Sequence, residues 1–144
     1  SIYLWASAAT DCTVNLWDTR QHPANVQVRH FDRPVSCARY SPNDAFIALG
    51  CDQLYMMDPR VREYRSLPSL SQVLHVCFHP TEYLLATGSV DRLVRFWDIE
   101  TAECVSQSDP ADGTLREIAF QKDGTALLTL TDWFVSIKCT FLVR

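Results

Sequence analysis

The sequence repeats itself, and the spacing of that repeat constrains the fold more than any other property. Trp17, Met57 and Trp97 stand 40 residues apart, in TVNLWD at 13–18, LYMMD at 54–58 and LVRFWD at 93–98. Each run follows a second matching unit: ASAATD at 6–11, ALGCD at 48–52 and ATGSVD at 86–91. A fainter fourth copy reads TALLTLTD at 125–132 and FVSIKC at 134–139. Between copies lies a third recurring unit, an apolar run that ends in a turn: VSCARYSPND at 35–44, VLHVCFHPTE at 73–82 and LREIAFQKDG at 115–124. Short β-rich runs bounded by Pro, Gly, Asn and Asp read as strands joined by turns. No long stretch has helical periodicity. A unit this small cannot bury its apolar faces alone, so successive copies must stack.

A more polar fourth strand closes each unit: NVQVRHF at 25–31, EYRSL at 63–67 and ECVSQ at 103–107. A period of this length, built of four short strands and ending in Trp-Asp, resembles a WD40 blade. The expected fold is all-β: a partial WD40 β-propeller of about three and a half four-stranded antiparallel blades. The blades are expected at about 1–31, 32–67, 68–107 and 108–144. A ring of six or seven blades needs roughly 250–300 residues at this period. The chain therefore reads as the C-terminal, closing part of a propeller that needs further blades. Its end blades should expose apolar faces, and the chain should fold poorly by itself.

The WD40 resemblance implies a hydrogen-bond network in which a turn Asp joins a strand Ser or Thr, a strand Trp and a loop His. Ser7, Asp11 and Trp17 match three of those positions, and Thr87, Asp91 and Trp97 match three again. Ser69 stands where the third blade's His should be. His30 is in the right loop for the second blade, but Leu49 and Met57 replace its Ser and Trp. No blade carries a complete network, so less rigid blades are expected.

The chemistry of the chain points away from catalysis. Its four glycines form no phosphate-cradling loop, and neither GxGxxG, a Walker pattern nor GxSxG occurs. Six cysteines contain no CxxC pair and read as buried small hydrophobes in a reducing cytosol. His22, His30, His75 and His79 lack metal-ligand spacing. His75 and His79 read as strand and turn packing. No catalytic residue, metal site or cofactor is expected. The net charge of −4 disfavours nucleic acid and anionic membranes as partners.

Residues 78–100, FHPTEYLLATGSVDRLVRFWDIE, closely resemble a blade of the WD40-subunit family of katanin, the microtubule-severing complex. The likeness continues through ECVSQSDPADGTLREIAFQKDG and, more weakly, ASAATDCTVNLWDTR. The resemblance implies a non-catalytic targeting subunit whose partners are the severing ATPase, tubulin or centrosomal proteins. It also implies a cytoplasmic, cytoskeletal location at centrosomes or spindle poles. The C-terminal helical region of that family has no counterpart here. Trp17-Asp18-Thr19-Arg20 is a WDxR sequence, which in some WD40 proteins docks on cullin-RING ubiquitin ligases. A general WD40 scaffold is the third reading. The candidate partner-binding residues are arginines, suited to acidic protein surfaces. Arg33 and Arg92 should lie at one end of the propeller. Arg20, Arg60 and Arg62 should lie at the other, with Arg65 extending the cluster along the outer side.

Overall fold

The computed structural model describes residues 3–23, 25–59 and 63–139. Among these there are only strands, turns and bends, in four antiparallel sheets. Sheet 1 contains β1 (Leu4–Ala8), β2 (Thr13–Asp18) and β3 (Asn25–His30). Sheet 2 contains β4 (Cys37–Tyr40), β5 (Ile47–Gly50), β6 (Leu54–Asp58) and β7 (Glu63–Leu67). Sheet 3 contains β8 (Val73–Phe78), β9 (Leu84–Ser89), β10 (Val94–Asp98) and β11 (Cys104–Gln107). Sheet 4 contains β12 (Leu115–Phe120), β13 (Ala126–Thr131) and β14 (Val135–Cys139). Every sheet is a meander in chain order. The first strand of each complete sheet packs on its neighbour's, β4 beside β8 and β8 beside β12, while β1 lies against β4. This is a partial WD40 β-propeller.

Strand residues alternate between faces, and each face of the middle sheets meets a different neighbour. Ile47 and Leu49 of β5 join Val14 and Leu16 of β2 in one core. Ala48, between them in sequence, joins Leu54, Val76, Phe78, Leu85 and Trp97 in a second. Ala86, the neighbour of Leu85, joins Val94, Leu115, Ile118 and Leu127 in a third. Three cores thus lie between four sheets. Burying each Leu, Ile or Met contributes about 1.5–3 kcal/mol, and β5 is buried along its whole length. Both-sided burial also accounts for the weak polar/apolar alternation of IALG and LLATGS.

The end sheets have one covered and one exposed face. The pair Trp5 and Trp17 in sheet 1 occupies the register of Leu85 and Trp97 in sheet 3. Sheet 1 therefore corresponds to the last three strands of a complete blade, and sheet 4 to the first three. Leu128 pairs with Ile137 and Leu130 with Val135, an apolar ladder exposed on the outer face of sheet 4. Trp5 is exposed on the outer face of sheet 1.

The cysteine expectation is corrected. Cys51 is buried, but Cys12, Cys37 and Cys77 are half-buried and Cys104 is exposed. Cys104 lies on β11, the outermost strand of its sheet, which no neighbouring blade covers.

Candidate interaction site

The Trp and hydroxyl positions meet in both matched blades. The Trp17 indole donates to Ser7 Oγ at 2.9 Å, and the Trp97 indole donates to Thr87 Oγ1 at 2.9 Å. Their surroundings differ. Trp97 and Thr87 are buried between sheets 2 and 3, whereas Trp17 and Ser7 lie on the outer face of sheet 1.

The aspartates bond elsewhere than the resemblance implies. Asp91 accepts from Leu93 N–H at 3.1 Å and pairs with Arg95 at 2.6 Å. Asp11 accepts from Thr13 N–H at 2.9 Å and from the Thr13 hydroxyl at 2.6 Å, which holds its carboxyl below the usual range. Each carboxylate braces its own β-turn, an Asx-type closure local in sequence. Ser69 likewise closes its own loop by donating to Ser71 O at 2.8 Å.

His75 and His79 tie blades together. His79 is buried, and its Nδ1 accepts from Thr81 N–H and Glu82 N–H at 3.3 and 3.0 Å. An accepting Nδ1 leaves Nε2 as the protonated nitrogen. Nε2 therefore donates to Gly124 O at 3.1 Å, linking a turn of sheet 3 to a turn of sheet 4. His75 Nε2 lies 3.2 Å from Leu115 O on the same interface. No group of three or more potential metal ligands occurs among the described residues. Among the described residues, no helix is long and apolar enough to cross a membrane.

The candidate arginines that are described separate into three groups. Arg20 forms a two-pronged contact with Asp18, at 2.9 and 2.8 Å, and lies over the Tyr3 ring. This contact pulls the Asp18 carboxyl down to about 2. The WDxR arginine is thus held by its own aspartate. Arg65 donates to Ile99 O, so it spans sheets 2 and 3. Arg60 and Arg62 lie outside the described residues. Arg33 and Arg92 are exposed. The Arg33 carbonyl accepts from the Cys51 thiol at 3.3 Å, and the Arg92 carbonyl accepts from Ala111 N–H at 2.9 Å. Those bonds join the sheet-to-sheet loops to the Asp-bearing turns, so both arginines sit at one end of the stack. Phe31, Tyr55 and Tyr64 cluster between sheets 1 and 2, with ring centroids 5.3–5.8 Å apart. Sequence reasoning did not group these three; they come from a loop and two strands with no shared local pattern.

A stack of twisted antiparallel sheets with loops gathered at its ends defines a propeller-type protein-interaction module. Residues 63–98 match the WD40 family, described as WD domain, G-beta repeat. The match begins on β7 and ends on β10, so the sequence repeat is offset by one strand from the sheet. Among curated proteins, the chain is 28% identical to nuclear distribution protein nudF of Aspergillus niger over 133 residues. That alignment covers 86% of this chain and 30% of nudF. It is 43% identical to eukaryotic translation initiation factor 3 subunit I of Aspergillus fumigatus over 53 residues, 37% of this chain and 15% of that protein. The chain thus spans 30% or less of the length of these relatives.

Proposed function

We propose that this chain is a non-catalytic segment of a WD40 propeller that holds protein partners in place. The observation that carries this reading is the sheet stack itself, with its WD40 match and its exposed loop arginines. Rigid inner strands fix the loops, and loops on a rigid scaffold are where recognition residues concentrate. Arg33 and Arg92 are the arginines proposed to meet an acidic partner surface, through paired hydrogen bonds to carboxylate. The relatives' names fit a scaffold reading, since one is a subunit of an initiation factor and the other a nuclear distribution protein.

A second, narrower reading is targeting of a microtubule-severing ATPase in the cytoplasm, at the cytoskeleton, with tubulin or centrosomal proteins as further partners. It is favoured by the resemblance of residues 78–100 to the katanin WD40 subunits. Quantitative affinity capture from cell extract tests both readings. The expected result is stable retention of specific proteins, reduced about tenfold by Arg33→Ala with Arg92→Asn, a loss of about 1.4 kcal/mol. Asn tolerates the positive φ of 67° at position 92. Retention of a severing ATPase or tubulin supports the narrower reading, and their consistent absence removes it. Failure to retain any protein specifically overturns both.

A further inference from the structure

A cleft of about 270 Å³ opens between sheets 2 and 3, at the end of the stack away from Arg33 and Arg92. The β4–β5 turn, the β8–β9 turn and Ile99 of the β10–β11 turn form its walls. Phe46, Phe78 and Ile99 make an apolar floor, while Tyr83, 59% exposed, and Glu82 stand at the mouth. The walls are braced before any ligand arrives. Phe46 N–H donates to Ser41 Oγ at 3.0 Å, and the Ser41 hydroxyl donates to Asn43 Oδ1 at 2.7 Å. His79 Nδ1 holds the other turn, and Ile99 N–H donates to Tyr83 O at 3.0 Å. A braced cleft loses little freedom on binding.

Size and charge select the occupant. At about 270 Å³ the cleft is at the lower end of the range for small-molecule pockets and has room for one bulky side chain. The two turns of sheet 3 at this end, 79–83 and 98–103, carry Glu82, Asp98, Glu100 and Glu103 and no Lys or Arg. None of the four joins the ion pairs among the described residues. Asp98 braces its own turn by accepting from Glu100 and Thr101 N–H. Arg65, the cation of the neighbouring strand, is held on Ile99 O. The sheet 3 side of the cleft is therefore acidic above its apolar floor, while Arg65 keeps its positive charge on the sheet 2 side, so a peptide whose basic residues face sheet 3 is favoured.

We infer that this cleft is a second binding site, which takes a large apolar side chain from a protein segment flanked by lysines or arginines. The inference rests on the interaction-module reading and names the partner chemistry for one face. Ring burial against Phe46, Phe78 and Ile99 supplies affinity, while Glu82, Glu100 and Glu103 supply steering and register.

The test uses the whole chain and a fluorescent heptapeptide with a central phenylalanine between two pairs of lysines. Anisotropy should show saturable one-to-one binding that weakens as salt rises. Replacing the central phenylalanine by alanine should weaken binding about tenfold or more. Tyr83→Ala and Glu82→Gln, both at exposed positions, should each weaken it about threefold or more with unchanged thermal unfolding. Glu82→Gln should also flatten the salt dependence. Amide shift mapping should place the peptide at residues 43–46, 80–83 and 99. Binding indifferent to the central residue, mapped elsewhere, or absent overturns the inference. Partner capture that persists without peptide binding removes the cleft alone, while peptide binding without any partner capture counts against the module reading.

Discussion

The two tryptophans of the repeat should differ sharply in what they contribute. Trp97 is 2% exposed, and its hydroxyl partner Thr87 is wholly buried. A buried Trp removes about 150–250 Å² from water. At about 25 cal/mol per Å² that is about 4–6 kcal/mol, of which the remaining Ala Cβ retains part. Trp97→Ala should therefore cost about 3–5 kcal/mol, including the loss of the only described donor to a buried Thr87 hydroxyl. Trp17 makes the same hydrogen bond but lies on the outer face of sheet 1, half-buried. With roughly half the area at stake, Trp17→Ala should cost about 2 kcal/mol. Urea unfolding followed by circular dichroism gives both numbers. Trp97→Phe keeps most of the packing and loses the hydrogen bond, so it should cost about 1–2 kcal/mol and stay measurable if the Ala variant unfolds. Equal costs for Trp17→Ala and Trp97→Ala would refute the reasoning, because they would mean that burial between sheets does not set the difference.

Gly124 has φ of +75°, and a Cβ there would overlap the His79 imidazole. Gly124→Ala should cost about 2–4 kcal/mol, combining left-handed backbone strain with loss of the His79 tie, as read by thermal unfolding. Asp18 has a folded-state value lowered from 3.8 to about 2 by the Arg20 contact. Its contribution is present above the unfolded value and is lost as pH falls from about 4 toward 2. Asp18→Asn should flatten acid unfolding in that window, and an unchanged acid limb would contradict the pairing. Burial pushes the Cys37 and Cys51 thiols up to about 11. In native protein both should alkylate far more slowly than exposed Cys104, in mass-spectrometric labelling. Comparable labelling of all three would show that the sheet interfaces open readily.

The architecture was legible because a fixed period survives even when individual residues do not. Met57 replaces Trp in the second blade, yet it is fully buried in the core shared with sheet 1. The period located the strand, and the apolar character of the position was enough. Interactions local in sequence were readable too: Ser7 with Trp17, and Thr87 with Trp97, lie diagonally across one hairpin on the same face. What escaped the sequence was contact between blades. Arg65 looked like part of a basic surface cluster because its acceptor, Ile99 O, lies 34 residues away on another sheet. His79 looked like a turn residue, and its partner Gly124 O is 45 residues away. Asp91 was assigned to a family network, but Arg95, four residues on, takes its carboxylate. Ser69, in place of the network's His, closes its own loop, and the Asp91 carboxylate takes the local donors Leu93 N–H and Arg95 on its two oxygens.

Amide hydrogen exchange, read strand by strand on the whole chain, tests the account most directly. If four sheets stack through three apolar cores, protection should follow burial between sheets. The slowest exchange should fall in β5 and β9, which are buried almost throughout. β1 and β14, on the end sheets with their exposed outer faces, should exchange fastest. Protection of β14 equal to that of β9, or rapid exchange in β5 and β9, would contradict a stack of blades with two open ends.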